Sequence, residues 1–246
     1  SFLANQGMNV AEYIPTDIAR LYAGRVEDSF VLMPKLPAAE FSPREVLAAE
    51  AEIGRLVGLL HRNLVRYPWP TNSSTEDLIG SLKRDLMLPE EVSVLFEDRR
   101  AEMIDAVEGL TTQLVHGDFT PENIILREPI QLSGFIDFDH LPLAPRMWDV
   151  AKYLSRRLRT RWLQDDFSAN YPRARHIREF LPGYHSANPI SSRELEALPS
   201  LIVTANVIEV SYFMEIARGT LQRRQLSDHD EVLADSIEAA GRQLSH

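Results

Sequence analysis

The sequence predicts an α+β fold: a mostly helical body carrying one central β-hairpin, preceded by a small β-rich part. Three observations lead there. Serine capping boxes and apolar stripes at helical spacing fill most of the chain after residue 36. One β-rich stretch, Leu114 to Asp137, interrupts them. Residues 1–36 instead alternate short apolar runs with turn signals. The division expected is therefore 1–36 and 37–246.

In the first part, Val10 to Ile14, Arg20 to Ala23 and Ser29 to Leu32 read as short strands, with Gly24 to Asp28 turning between the last two. Pro34 and Pro37 hold Lys35-Leu36 extended. Ser42-Pro43-Arg44-Glu45 is a capping box, and Val46, Ile53, Val57, Leu60 and Leu64 give its helix one core-facing stripe. Pro68 and Pro70 end that segment, and residues 71–75 form a polar loop. A short helix with Leu78, Ile79, Leu82 and Leu86 follows, then one opened by Pro89 and closing near Gly109. Beyond the β-rich stretch the pattern predicts a helix over roughly 146–162 and another ending at Leu181 before Gly183. Ser191-Ser192-Arg193-Glu194 is a second capping box. Pro199 interrupts, Leu201 to Arg218 makes a long apolar helix stopped by Gly219, and Ser227 caps the last.

Composition narrows the function. With no cysteine there are no disulfides or thiolate metal sites. No basic start leads into an apolar run, and no apolar stretch approaches about 18 residues, so the reading is a soluble, cytoplasmic protein. A net charge of −10 repels phosphates, which argues against nucleic-acid and anionic-membrane partners; it would suit cationic small molecules, but simple solubility is the plainer reading. Only Lys35, Lys83 and Lys152 stand against 23 arginines.

The chemistry concentrates in His116-Gly117-Asp118-Phe119-Thr120-Pro121-Glu122-Asn123 and Ile136-Asp137-Phe138-Asp139. Ile124 to Leu126 and Leu132 to Ile136 are strand-like runs flanking Arg127-Glu128-Pro129, a hairpin. If 127 pairs with 133, Asn123 sits opposite Asp137. Two hard oxygen ligands side by side suit Mg²⁺, which completes its shell with water and phosphate oxygens. Asp118, five residues earlier, can face the same phosphate and take the proton of an attacking hydroxyl. Gly117 permits the tight turn, and His116 is read as tying the loop by hydrogen bonds rather than as an acid or base.

His-Gly-Asp-x4-Asn followed by Ile-Asp-Phe-Asp resembles the aminoglycoside phosphotransferase and choline kinase-like superfamily, which is built on the protein-kinase fold. Glu52 to His61 and Pro145-Arg146-Met147-Trp148-Asp149-Val150-Ala151 are similar to two further family segments. Ser133 to Phe138, Phe180 to Tyr184 and Glu194 to Pro199 lean toward its homoserine kinase-like branch. The resemblance implies a protein-kinase-like helical large lobe over 37–246 and the remnant of a small nucleotide-binding lobe and hinge over 1–36. It implies Asp118 as base, Asn123 and Asp137 as Mg²⁺ ligands, and Asp149 as anchor of the catalytic loop. Asp139 is either a helper at the metal or a solvent-facing turn carboxylate. Val31 to Lys35, with Met33, Pro34 and Lys35 at its end, resembles the hinge that hydrogen-bonds adenine. Ile125 and Ile136 would floor the base. ATP or another NTP is the implied donor, and a hydroxylated small molecule (aminoglycoside, amino alcohol or hydroxy amino acid) the acceptor. Glu209, Glu215, Asp165 and Asp166 are the carboxylates available to a cationic one.

One departure is plain. None of the 11 glycines makes a Gly-x-Gly, and no lysine precedes Lys35, whereas such an enzyme needs a backbone-lined loop and a strand lysine over the phosphates. The expectation is that the chain begins inside the small lobe, with ~50–80 residues absent, and is inactive alone. The non-enzymatic alternative is a pseudokinase-like binding module. An aspartyl-phosphate phosphatase built on Asp137 and Asp139 fits worse, because Leu141 stands where Thr or Val belongs.

Overall fold

The computed structural model describes residues 2–10, 12, 23–25, 28–30, 33–68, 77–138, 141–158 and 174–220. Val31, Leu32, Asp139, Asp165, Asp166, the 71–75 loop and the helix expected from Ser227 lie outside them.

The long helix opened by the first capping box, Pro43–Leu64, forms as its sequence predicts. The Ser42 amide donates to Glu45 Oε2 at 2.8 Å, and Ser42 Oγ accepts the Glu45 amide. Its stripe of Val46, Ile53, Val57, Leu60 and Leu64 is buried. This helix lies along Ala174–Ala187, and glycine sets how closely. A β-carbon on Gly54 would collide with the Phe180 carbonyl, and one on Gly183 with the Ala51 carbonyl. Here the structure corrects the expected break at Leu181: the helix runs on through Pro182 and Gly183. Phe180 and Tyr184, fully buried on either side, outweigh the one N–H that Pro182 withholds. The same correction applies at Pro199, which lies inside one continuous helix, Ser192–Thr220, between buried Leu198 and Leu201.

Numbered in chain order, the helices are α1 (Phe2–Asn5), α2 (Pro43–Leu64), α3 (Leu78–Lys83), α4 (Glu90–Val107), α5 (Met147–Arg157), α6 (Ala174–Ala187) and α7 (Ser192–Thr220). The strands are β1 (Ala23–Arg25), β2 (Asp28–Phe30), β3 (Thr112–Leu114), β4 (Ile124–Arg127), β5 (Gln131–Phe135) and β6 (Leu143–Pro145). They make three antiparallel pairs: β1 with β2, β3 with β6, and β4 with β5. The β3–β6 pair was not expected, because Leu143-Ala144-Pro145 is too short to show a period. It brackets the segment that carries Asp118, Asn123 and Asp137, with Leu114 opposite Leu143.

Of the strand expected over Val10 to Ile14, the described part is a single bridge from Val10 to Phe135, beside a Phe135 amide donating to Asn9 O at 3.1 Å. The connector from Met33 is not regular, and the Ala39 amide ties it to Leu126 O at 2.9 Å. Buried rings run from the catalytic segment into the helical core: Phe119 touches Phe135 and Tyr153, and Tyr153 touches Phe180.

The expectation that no apolar stretch approaches a membrane span needs correction. α7 holds an 18-residue window of mean hydropathy 1.4, of which 56% is buried within the fold. Packed against α4 and α5, it is a core helix here.

Candidate active site

The loop after β3 is shaped from beneath by one carboxylate. Gly117 has φ +82°, a conformation L side chains resist, and the loop turns there. Asp149, fully buried on the first turn of α5, receives the His116 amide on Oδ2 at 2.8 Å and the Gly117 amide on Oδ1 at 2.9 Å. His61 of α2 adds Nε2 at 2.9 Å from Oδ2, with its Nδ1 2.7 Å from the Tyr184 hydroxyl. Burial alone would raise the Asp149 pKa, but His61, His116 and these hydrogen bonds outweigh it and hold the carboxyl below its ordinary range. The Tyr184 hydroxyl is pushed the other way, upward, chiefly by burial. Asp149 thus stays an acceptor and locks the loop's backbone.

His116 closes the loop from the other side. Its Nε2 lies 2.8 Å from Ile136 O, so that nitrogen carries the proton and donates, tying the loop to the strand leading to Asp137. Its ring packs against Phe119 and Phe138.

Asp118 emerges half-exposed, with Oδ1 2.9 Å from Lys152 Nζ. Lys152 also donates to Gly117 O at 2.8 Å. Partial burial pushes the Asp118 carboxyl up, but Lys152, with His116 and Arg156, pulls it down further, and the net shift is downward. It is a carboxylate with one oxygen held and the other left for an incoming donor.

Asn123 is buried at the end of a 3-10 turn, Pro121–Asn123. Its Nδ2 donates to Asp118 O at 2.7 Å. With the nitrogen used, the amide oxygen has no partner among the described residues and is available to a cation. The expected register is not kept: Arg127 pairs with Gln131 instead of Ser133, two residues off, and an irregularity after Ile125 leaves Ile124 with Phe135, one residue off. The Ile136 amide donates to Asn123 O at 3.1 Å, so Ile136, not Asp137, lies opposite Asn123. The slip arises at the turn, which closes over residues 128–130, and the bulge takes back one of its two residues. Asp137 comes next, exposed, with φ +64°, a left-handed conformation that Asp tolerates better than most residues. An amide oxygen and a carboxylate free of internal partners are a donor set that fits a hard divalent cation with few protein ligands.

Asp118 also lines a cavity of about 520 Å³ walled by α5 and α7 and rimmed by Arg84. Trp148, Tyr212 and Phe213 supply its aromatic surface, and Glu209 and Glu215 reach it. Glu209 pairs with Arg156, while Glu215 holds only a 3.5 Å contact from Ser211 Oγ among the described residues. Ile125 and Ile136 are half-buried, and Met33, Pro34 and Lys35 lie exposed along the connector.

A family model described as the phosphotransferase enzyme family matches residues 1–190. The chain belongs to that family. A homoserine kinase from Mesorhizobium japonicum is 34% identical over 94 residues, a match spanning 38% of this chain and 27% of that protein. Among solved structures, an amicoumacin kinase in complex with AMP-PNP and Ca²⁺ superposes at TM-score 0.70 and 16% identity, over 98% of this chain and 75% of that one. A microcompartment-associated aminopropanol kinase gives 0.71 and 16%, over 99% and 76%. A choline kinase from Streptococcus pneumoniae gives 0.63 and 14%, over 99% and 77%. The protein-kinase-like α+β fold and the resemblance read from the sequence are thus both upheld.

In this phosphotransferase-family chain, sequence reasoning missed the parts that hold the loop. Lys152 was noted only for the rarity of lysine. Its place three residues after Asp149, one helical turn on, was the available signal. His61 was read as part of a helix motif, and nothing in its neighbours announced Asp149, 88 residues away.

Proposed function

We propose that this chain carries the catalytic large lobe of an ATP-dependent small-molecule kinase, moving the γ-phosphate to a hydroxyl of its acceptor. The observation that carries the reading is Asp118: it opens on the 520 Å³ cavity, and its backbone oxygen holds Asn123. In this reading Asp118 orients the acceptor hydroxyl and takes its proton, while Lys152 keeps the carboxylate turned toward the cavity. Asn123 and Asp137 would hold Mg²⁺, which when bound neutralises phosphate charge. His116, Gly117 and Asp149 keep the loop in shape. Met33, Pro34 and Lys35 form the end of a hinge against adenine, with Ile125 and Ile136 beneath it. Residues 1–36 then belong to the small nucleotide lobe and 37–246 to the large one, in a cytoplasmic enzyme without nucleic-acid or membrane partners.

Support for a nucleotide and a divalent metal comes from family membership and from the fold shared with a kinase solved with AMP-PNP and Ca²⁺. Support for an amine-bearing acceptor comes from Glu215 and three aromatic rings in the cavity. Aminoglycosides, amino alcohols and hydroxy amino acids all meet that description. Arg84 at the rim favours the last, since a free guanidinium suits a carboxylate. The test is a coupled ADP-release screen of the full-length protein against amino alcohols, aminoglycosides, sugars and amino acids. Acceptor-dependent ADP release abolished by Asp118→Asn is the result expected. Release that ignores the acceptor, or survives the substitution within a few-fold, would overturn the reading.

A further inference from the structure

A second cavity, of about 640 Å³, shares no residue with the first. It is bounded by the Gln6–Asn9 segment, by α2 and the turn after it, and by the β4–β5 turn. Its charge runs against that of the chain. Acids outnumber bases 36 to 26 overall, yet among the described residues the ionisable lining here is Arg55, Arg62, Arg66 and Arg127 with Glu52 as the one acid.

Glu52 is fully committed to Arg55, whose Nε and Nη2 each lie 2.7 Å from one of its oxygens. Among the described residues Arg62 donates only to the Ala187 carbonyl, and Arg127 only to the Gln131 amide oxygen, both uncharged. Arg66 has no partner among the described residues. Three guanidinium charges therefore face one concavity without a counter-charge among the described residues, an arrangement that costs self-repulsion until an anion relieves it. A second observation points the same way. Asn63 is only 9% exposed, lines the cavity, and its side-chain amide has no hydrogen-bond partner among the described residues. That amide opens onto the cavity, where its N–H can donate to a ligand oxygen.

We infer that this cavity is an oxyanion site for a phosphorylated small molecule bearing more than one negative charge. Guanidinium forks match phosphate oxygens two at a time. The volume exceeds what a lone phosphate needs and falls within the usual range of small-molecule sites. The site rests on none of the residues assigned to phosphoryl transfer, so either reading can fail without the other.

Calorimetric titration of the full-length protein with inorganic pyrophosphate, at low salt and with EDTA present, tests it. One equivalent should bind, and the affinity should fall as salt rises. Arg66→Ala and Arg127→Ala, both at exposed positions and each checked by thermal unfolding, should weaken binding about tenfold or more. Arg84→Ala, in the other cavity, should leave it unchanged. No binding by the wild type, full binding by both Arg66→Ala and Arg127→Ala, or loss confined to Arg84→Ala would each overturn the site.

Discussion

At the residue scale, the pair to understand is Asp118 and Lys152. A base whose pKa is held down is a poor proton acceptor toward a neutral alcohol, which at first sight argues against it. In a loose phosphoryl-transfer transition state, however, the hydroxyl becomes acidic only as its bond to phosphorus forms, and what the enzyme needs earlier is alignment. In the proposed reaction an ionised carboxylate with one oxygen pinned at 2.9 Å would supply that alignment. Asp118→Asn should therefore lower kcat by about 10²–10⁴ while nucleotide affinity, measured by titration, stays within a few-fold. Lys152→Met should lower kcat by about tenfold or more, since a charge and the carboxylate's fixed direction go together. Lys152→Arg should recover part of the loss because its fork can still reach a carboxylate. Should Lys152→Met instead raise KM alone, the lysine would be a binding group and not a positioning one.

At the scale of elements, Asp149 of α5 joins three parts of the chain: the loop backbone, α2 through His61, and α6 through Tyr184 beyond it. Asp149→Ala would strand the His116 and Gly117 amides and a buried imidazole. A loss of about 3–5 kcal/mol in urea unfolding is expected. A cost below about 1 kcal/mol would mean that water or a local shift replaces the carboxylate easily. The α2–α6 contact makes its own prediction. Gly183→Val has nowhere to put a β-carbon except the Ala51 carbonyl, so it should cost about 3 kcal/mol or more and lower the unfolding midpoint.

These two elements also show what the sequence could and could not reveal. The α2 stripe and both capping boxes were legible because they are local, decided by residues three or four apart. The hairpin was legible as a hairpin, but its register was not: a turn that closes Arg127 on Gln131 and a bulge after Ile125 are backbone events that side-chain alternation does not encode. Pro182 and Pro199 read as helix breaks because their local cost is visible while the buried neighbours that offset it are tertiary. Asp118, Asn123 and Asp137 stand out in two short motifs. Lys152 and His61 reach the loop from α5 and α2, and only folding brings them there.

At the scale of the whole molecule, net charge and a few partly buried pairs compete to set stability against pH. Arg146, next to α5, grips Glu194 at the start of α7 through Nε at 2.6 Å and Nη2 at 2.8 Å, and reaches Asn188 and the Pro189 carbonyl as well. Glu194 meanwhile caps α7, accepting the Ser191 amide at 2.9 Å. Burial opposes its ionisation, but Arg146 and Ser191 prevail and bring its pKa from the ordinary 4.5 to about 2. A second network lies wholly buried, where Glu50 meets His176, Tyr153 and Arg157. Lowering the pH from 7 first relieves self-repulsion, since the chain carries −10 and its pI is near 5.2. Below that, linkage takes over. The unfolded chain protonates its glutamate near 4.5, while the folded Glu194 resists until about 2. The unfolded state therefore binds more protons across that window, and the pair's contribution, complete above it, drains away as pH falls through it. Asp118 and Asp149, also held below their ordinary range, act in the same direction. Glu194→Gln keeps most of the cap but loses the charge, so it should cost about 1–3 kcal/mol at pH 7. It should also flatten the decline between about pH 4.5 and 2 relative to the parent. Urea unfolding midpoints at pH 7, 4.5 and 3 read both effects, and an acid slope identical in the two proteins would remove Glu194 from the account.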